Sequence, residues 1–196
     1  MAKITAHLTI SLDGYVAGPD QSLENPMGTG GAMAMHAWHL GSSDPVDLAM
    51  AEVVMAPRGA YVMGRNMFGP VRGGWGDSDW TGWWGDEPPY HAPVFVLTHH
   101  EHDPIELTGT TFHFVTDFDS ALEQAVAAAG DDTVTIAGGA SAVRQGLERG
   151  VVDELLLSRA AVSLGAGESP FAGLQLTPTR VEVQVSPNAT HEVYRF

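Results

Sequence analysis

Cysteine is absent from this 196-residue sequence. That removes disulfide scaffolds, thiolate metal sites and thiol nucleophiles together. Positive charge is scarce: nine Lys and Arg stand against 24 Asp and Glu, a formal net charge of −15. Nucleic acids and anionic membranes attract the opposite balance, so neither is an expected partner. No apolar run approaches the roughly 20 residues that span a bilayer. The opening MAKITAHLTI lacks the charged, apolar, small-residue order of a secretory leader. The expectation is a soluble cytoplasmic protein. Apolar material is plentiful, at 44% hydrophobic against 17% charged residues, enough for one domain over 1–196 with its own core.

Periodicity then divides the chain. Ile4, Ala6, Leu8, Ile10 and Leu12 alternate with polar residues, the period of a half-buried strand. Asp13-Gly14 breaks it and Tyr15 to Ala17 resumes it. Residues 21–31 are turn-formers, and helices are predicted over 32–40 and 47–56. A short apolar strand, 60–64, ends in glycine, and a helix opens at 65–68. Residues 69–89, rich in Gly, Pro, Asp and Trp, read as a loop of unusual length. Strands are predicted at 93–98, 111–116, 133–137 and 152–162. Helices are predicted at 117–129 and 140–149, and a closing pair of strands at 181–185 and 191–196. Strands alternating with helices predict a mostly parallel α/β sheet covered on both faces, ending in an antiparallel hairpin. In such sheets ligands bind beyond the carboxyl ends of the strands.

Three junctions fall at predicted strand ends. In Met63-Gly-Arg-Asn-Met67 a glycine admits a ligand to the backbone, and Arg65 carries a phosphate-binding fork or simply starts a helix. In Val94-Phe-Val-Leu-Thr98-His-His100 a hydroxyl and two imidazoles face either a ligand or solvent. The His99, His100 and His102 group lacks a carboxylate at metal-site spacing, so no metal is expected. In Val134-Thr-Ile-Ala-Gly-Gly-Ala-Ser141 a strand runs through two glycines into a helix, an arrangement that aims amides at a diphosphate. It is not the full Gly-x-Gly-x-x-Gly fingerprint.

Ser11-Leu-Asp-Gly-Tyr-Val-Ala17, Val62 to Phe68, Val94 to His100, Ile136 to Leu147, Val151 to Leu157 and the tail Ser163 to Phe171 stand in one order along nearly the whole chain. That series resembles the dihydrofolate reductase-like superfamily, and within it the C-terminal reductase domain of the bacterial bifunctional deaminase–reductase of riboflavin biosynthesis. The resemblance implies a mixed, mostly parallel sheet flanked by helices, NADPH as hydride donor, and a homodimer. Carried over by position, it implies that Gly64, Arg65 and Asn66 hold phosphates. It puts Leu97, Thr98 and His99 among the cofactor contacts, the last two near the adenosine 2′-phosphate. Ala137, Gly138, Gly139, Ala140 and Ser141 then lie near the diphosphate, with Ala17 and Gly18 near the nicotinamide. Arg65 and Arg72 are the cations available for a local positive patch. The deaminase signature His-x-Glu…Pro-Cys-x-x-Cys is missing, so the expectation is a stand-alone reductase of a small C=N or C=O substrate, pterin-like or aminopyrimidine-like. The runner-up is an NADPH-binding sensor or a catalytically silent binder.

Two carboxylates are candidates for the catalytic proton. Asp47 stands at the spacing of the folate-reductase acid, where an apolar pocket would raise its pKa; it is equally a first-turn helix acid. Asp13 is the other, with a turn role as its alternative. Trp75, Trp80, Trp83 and Trp84 either wall a flat substrate or pack against the sheet or a second subunit, with packing preferred. Met33, Met35, Met50 and Met55 read as core fillers.

Overall fold

In a computed structural model, which describes residues 2–70, 73–76 and 79–196, the chain forms one nine-stranded sheet. The strands are β1 (Ile4–Ile10), β2 (Ala60–Gly64), β3 (Pro93–Leu97), β4 (Ile105–Leu107), β5 (Thr110–Val115), β6 (Val134–Gly138), β7 (Glu154–Ala160), β8 (Thr179–Val185) and β9 (Ala189–Arg195). Their order is β4-β5-β3-β2-β6-β1-β7-β9-β8. The six strands from β5 to β7 run parallel, while β4, β9 and β8 pair antiparallel. The expected mixed, mostly parallel sheet with a closing hairpin is what forms. The continuous apolar runs of β2, β3 and β6 suit strands buried on both faces.

Among the described residues four α-helices accompany the sheet: α1 (Pro45–Met55), α2 (Arg65–Phe68), α3 (Phe118–Ala129) and α4 (Ala140–Glu148). Asp44 caps α1 by accepting from the Val46 amide at 2.9 Å, with Pro45 pre-set at the first helical position, so the helix begins two residues before its predicted start. Asp117 caps α3 through the Ser120 amide at 2.9 Å. The predicted helix over 32–40 is a 3-10 helix confined to Ala32–His36, and α2 is a single turn. Strand β4, three residues long, was not anticipated. Among the described residues no helix is long and apolar enough to cross a membrane.

One face of the sheet is sealed. Ala6, Leu8 and Ile10 of β1 pack with Phe118, Ala121 and Ala125 of α3 and Ala142, Val143 and Leu147 of α4. The other face is covered in separate patches. Phe68, Trp75, Trp80 and Tyr90 lie over β2, β3 and Phe112 of β5. Trp38, Met50, Ala51 and Val54 lie over Leu156 and Ala189. Between these patches the odd residues of β1, His7 and Thr9, are left beneath a gap.

Two polar contacts fix the rims of that gap. The Asp47 carboxylate, fully buried in the first turn of α1, accepts from Ser42 Oγ (2.6 Å), Asn188 Nδ2 (2.7 Å) and His191 Nε2 (3.1 Å). His191 Nδ1 in turn lies 2.8 Å from Ser158 Oγ. This chain ties α1 to β9 and β7. Farther along, Ala17 bridges Glu168, and Gly18 passes so close to the chain that a Cβ there would sit 2.0 Å from the Thr29 carbonyl oxygen.

Gly18→Ala must therefore displace backbone, and a loss of about 1–3 kcal/mol is expected, read by chemical denaturation. For Asp47, burial pushes the pKa up, but hydrogen bonds from Asn188, Ser186, Ser42 and His191 outweigh it and lower it to about 2. A depressed carboxylate stabilises the fold above its unfolded pKa near 3.8 and loses that contribution as the pH falls through about 2. Asp47→Asn is expected to cost roughly 2 kcal/mol at pH 7, with the gap to wild type narrowing below pH 4 in denaturation curves.

Candidate active site

The gap is the floor of a cleft of about 1000 Å³. It has two stretches. One runs along the carboxyl ends of β2, β3 and β6, past the amino ends of α2 and α4. The other lies over His7 and Thr9 of β1 and Leu156 and Ser158 of β7, beneath α1 and the 3-10 turn.

The first stretch gathers the cofactor residues expected from the sequence. Ala17, Gly64, Arg65, Asn66, Leu97, Thr98, His99 and Ala137 through Ser141 all line it. They come from four separate segments that the strand order brings side by side. Gly138 has φ +130°, a conformation open to glycine, and joins Gly139 by a cis peptide. Nothing lies within 4 Å of a Cβ built on Gly139, the N-cap of α4, and no side chain caps that helix end by a hydrogen bond. Thr98 is buried and its Oγ1 accepts from the His100 amide at 3.2 Å, while His99 is exposed. Arg65 projects over the Trp75 ring, its guanidinium carbon 3.7 Å from the ring centre, and donates to the Gly73 carbonyl. Arg72 lies outside the described residues.

Gly18 is a correction. It does not line the cleft: its amide donates to the Met27 carbonyl at 2.8 Å, and its missing side chain makes room for Thr29. The two carboxylates are not brought to the cleft either. Asp47 is enclosed in the network of α1 and β9, and its pKa is lowered where a pocket acid was expected to have a raised one. Asp13, exposed, accepts from Ser11 Oγ (2.6 Å), Ser163 Oγ (2.8 Å) and the Gly165 amide (2.6 Å), which together hold its pKa well below the carboxylate range. It clasps the turn after β1 to the segment after β7.

The tryptophans divide. Trp80 Nε1 donates to the Phe68 carbonyl at 2.9 Å and Trp75 packs edge-on to Phe114, so these two are packing residues. Trp83 and Trp84 line the cleft. The methionines divide too: Met35 and Met50 are buried, whereas Met33 and Met55 stand half-exposed at the cleft.

Sequence reasoning missed His7, His36, Trp38 and His39, which face the second stretch. The signal for His7 was its place on the polar phase of β1; the other three sat in a segment read as an ordinary helix. Burial, with Arg58 and His39 nearby, lowers the His7 pKa to about 4; burial and His39 do the same to His36. Both rings are therefore neutral at pH 7. Among the described residues no group of three or more His, Asp or Glu is arranged to hold a metal ion.

Comparison with known proteins agrees with this architecture. A search of curated protein sequences finds no match. Among solved structures, a chain named for riboflavin biosynthesis from Shewanella sp. PV-4 superposes with a TM-score of 0.66 at 22% identity, over 100% of this chain and 98% of that one. A deaminase/5-amino-6-(5-phosphoribosylamino)uracil reductase from Thermotoga maritima gives 0.63 at 11% identity, over 99% of this chain but 56% of its own. A pyrimidine reductase-like protein from Corynebacterium diphtheriae gives 0.59 at 16% identity, over 99% and 91%. These likenesses establish the fold. The family model of the RibD C-terminal domain matches residues 2–191, and the chain belongs to that family.

Proposed function

We propose that this protein is an NADPH-dependent reductase, a stand-alone relative of the uracil-type reductase, that delivers a hydride to a C=N or C=O of a small heterocycle, pterin-like or aminopyrimidine-like. The observation that carries the proposal is the uncovered amino end of α4, opening on the same cleft as the glycine end of β2. A helix end of this kind offers unpaired amides and a partial positive charge to an anion. A protein of net charge −15 repels a polyanion at long range, so binding depends on such local donors. Gly138 to Ser141 hold the diphosphate, Thr98 and His99 lie near the adenosine phosphate, and Ala17 borders the nicotinamide. When bound, NADPH supplies the hydride. Trp83, Trp84 and Tyr90 wall the cleft over β1 and β7. The heteroatom also needs a proton. His7, His36 and His39 line the cleft over β1 and β7; a water held there gives its proton to the heteroatom, and the hydroxide left behind takes a proton from solvent.

The withdrawal of Asp13 and Asp47 from the cleft favours one second reading, an NADPH-binding protein without turnover. Oxidation of NADPH with a panel of carbonyl, imine and pterin compounds separates the two: turnover with any of them removes the silent binder.

We also propose a homodimer. β8 is an edge strand, and Val181, Val183 and Val185 leave 43%, 45% and 66% of their surfaces exposed. Analytical ultracentrifugation is expected to give a dimer, and Val183→Lys a monomer; a monomeric wild type contradicts the proposal.

Ser141→Asp makes a test with two opposed readouts. An acid in the first turn of α4 favours the helix dipole, so the melting temperature is expected to hold or rise. The same charge repels a diphosphate, and NADPH affinity in a tryptophan-quenching titration is expected to fall about tenfold or more. Unchanged affinity places the nucleotide elsewhere.

A further inference from the structure

Among the described residues two carboxylates line the cleft, those of Asp117 and Glu168. Asp117 caps α3 by accepting from the Ser120 amide, so the helix it starts accounts for its place. Glu168 has no such duty. It is exposed, and among the described residues no hydrogen bond or ion pair holds its carboxylate. Its backbone, by contrast, is held at several points.

Glu168 is fixed against Ala17. Its amide donates to the Ala17 carbonyl at 3.0 Å, and its carbonyl accepts from the Val16 amide at 2.9 Å. Residues opposite one another across an antiparallel bridge project from the same face, their Cβ atoms about 5 Å apart. The residue before it can only be glycine: Gly167 has φ +147°, and a Cβ there would lie 2.0 Å from the Ala17 carbonyl oxygen. Gly165 gives its amide to Asp13 at 2.6 Å, so the Asp13 clasp helps set the register of this segment on the turn after β1. A carboxylate is thereby delivered beside Ala17, beyond the carboxyl ends of β1 and β7, the two strands that floor the second stretch of the cleft.

We infer that Glu168 is the counter-ion of the oxidised nicotinamide, a carboxylate that makes the cleft favour NADP+ over NADPH. The inference rests on the proposed placement of the nicotinamide beside Ala17. Hydride transfer breaks a C–H bond of the dihydronicotinamide and forms one at the substrate carbon, while the heteroatom takes its proton from water. The nicotinamide is oxidised and the substrate reduced. The ring, neutral before the step, carries a positive charge after it. A carboxylate beside the ring attracts only the charged form, so it stabilises the product and the transition state in which that charge develops. Because Glu168 is exposed, water screens the attraction and its size is modest.

Isothermal titration calorimetry of NADP+ and of NADPH tests this, on the wild type, Glu168→Gln and Glu123→Gln. Glu123 is exposed on α3 and does not line the cleft, so its variant removes the same charge from elsewhere. In Glu168→Gln, NADP+ is expected to bind about fivefold more weakly and NADPH to change by less than about twofold. In Glu123→Gln the ratio of the two affinities is expected to stay that of the wild type. An unchanged ratio in Glu168→Gln overturns the inference. So does an equal shift in Glu123→Gln, which would belong to net charge. A wild type that binds neither nucleotide is a different failure: it removes the reductase reading, and the inference with it.

Discussion

A parallel sheet has to be covered on both faces, and here the second cover is incomplete. α3 and α4 close one face over Ala6, Leu8 and Ile10. On the other, an aromatic cluster covers β2, β3 and β5, while α1 and the 3-10 turn cover β7 and β9. β1 lies between, and His7 and Thr9 line a gap between the two covers, which Trp38 bridges only as far as Thr9. The cleft is that gap. Its two chemistries follow from its position: at the strand ends it meets backbone amides and glycines, and over the sheet it meets side chains that would otherwise have been core. The Asp47 network matters because it anchors the α1 side of the gap to β9 and β7, and thereby fixes the width of the apolar stretch.

Polar side chains play three different parts around this gap. Asp47 is satisfied by hydrogen bonds that include those from Ser42, Asn188 and His191, and its charge is held inside the fold. Asp13 is satisfied from the surface and closes a turn. His36 Nε2 is buried without a hydrogen-bond partner. Satisfied buried groups specify a fold, whereas an unsatisfied one is a local cost. Ionisable residues near one another in the fold are thus sorted by their partners rather than by their type.

That sorting explains what was legible in the sequence. The apolar runs of β2, β3 and β6 and the capped periodicity of α3 are local signals, and the elements appear where they were expected. The strand-end segments came together because a parallel sheet aligns its carboxyl ends. Three residues of β4 are too few to show a period, and the fraying of the predicted 32–40 helix into a 3-10 turn is decided by what lies beneath it. Asp47 could not be resolved from sequence because its partners Asn188 and His191 lie 141 and 144 residues away. Gly18 was given a ligand role because close approach to a ligand and close approach to Thr29 demand the same residue. The imidazoles were missed because nothing near them in sequence shows that they face a common cavity.

The most direct test of this account is a crystal structure of the protein with NADPH bound. The account predicts the diphosphate against the amides of Gly139 to Ser141, the nicotinamide beside Ala17, and the aromatic stretch beneath Trp83 and Trp84 free of nucleotide. A nucleotide lodged between Trp38 and Tyr90, or one whose diphosphate avoids the amino end of α4, would contradict it.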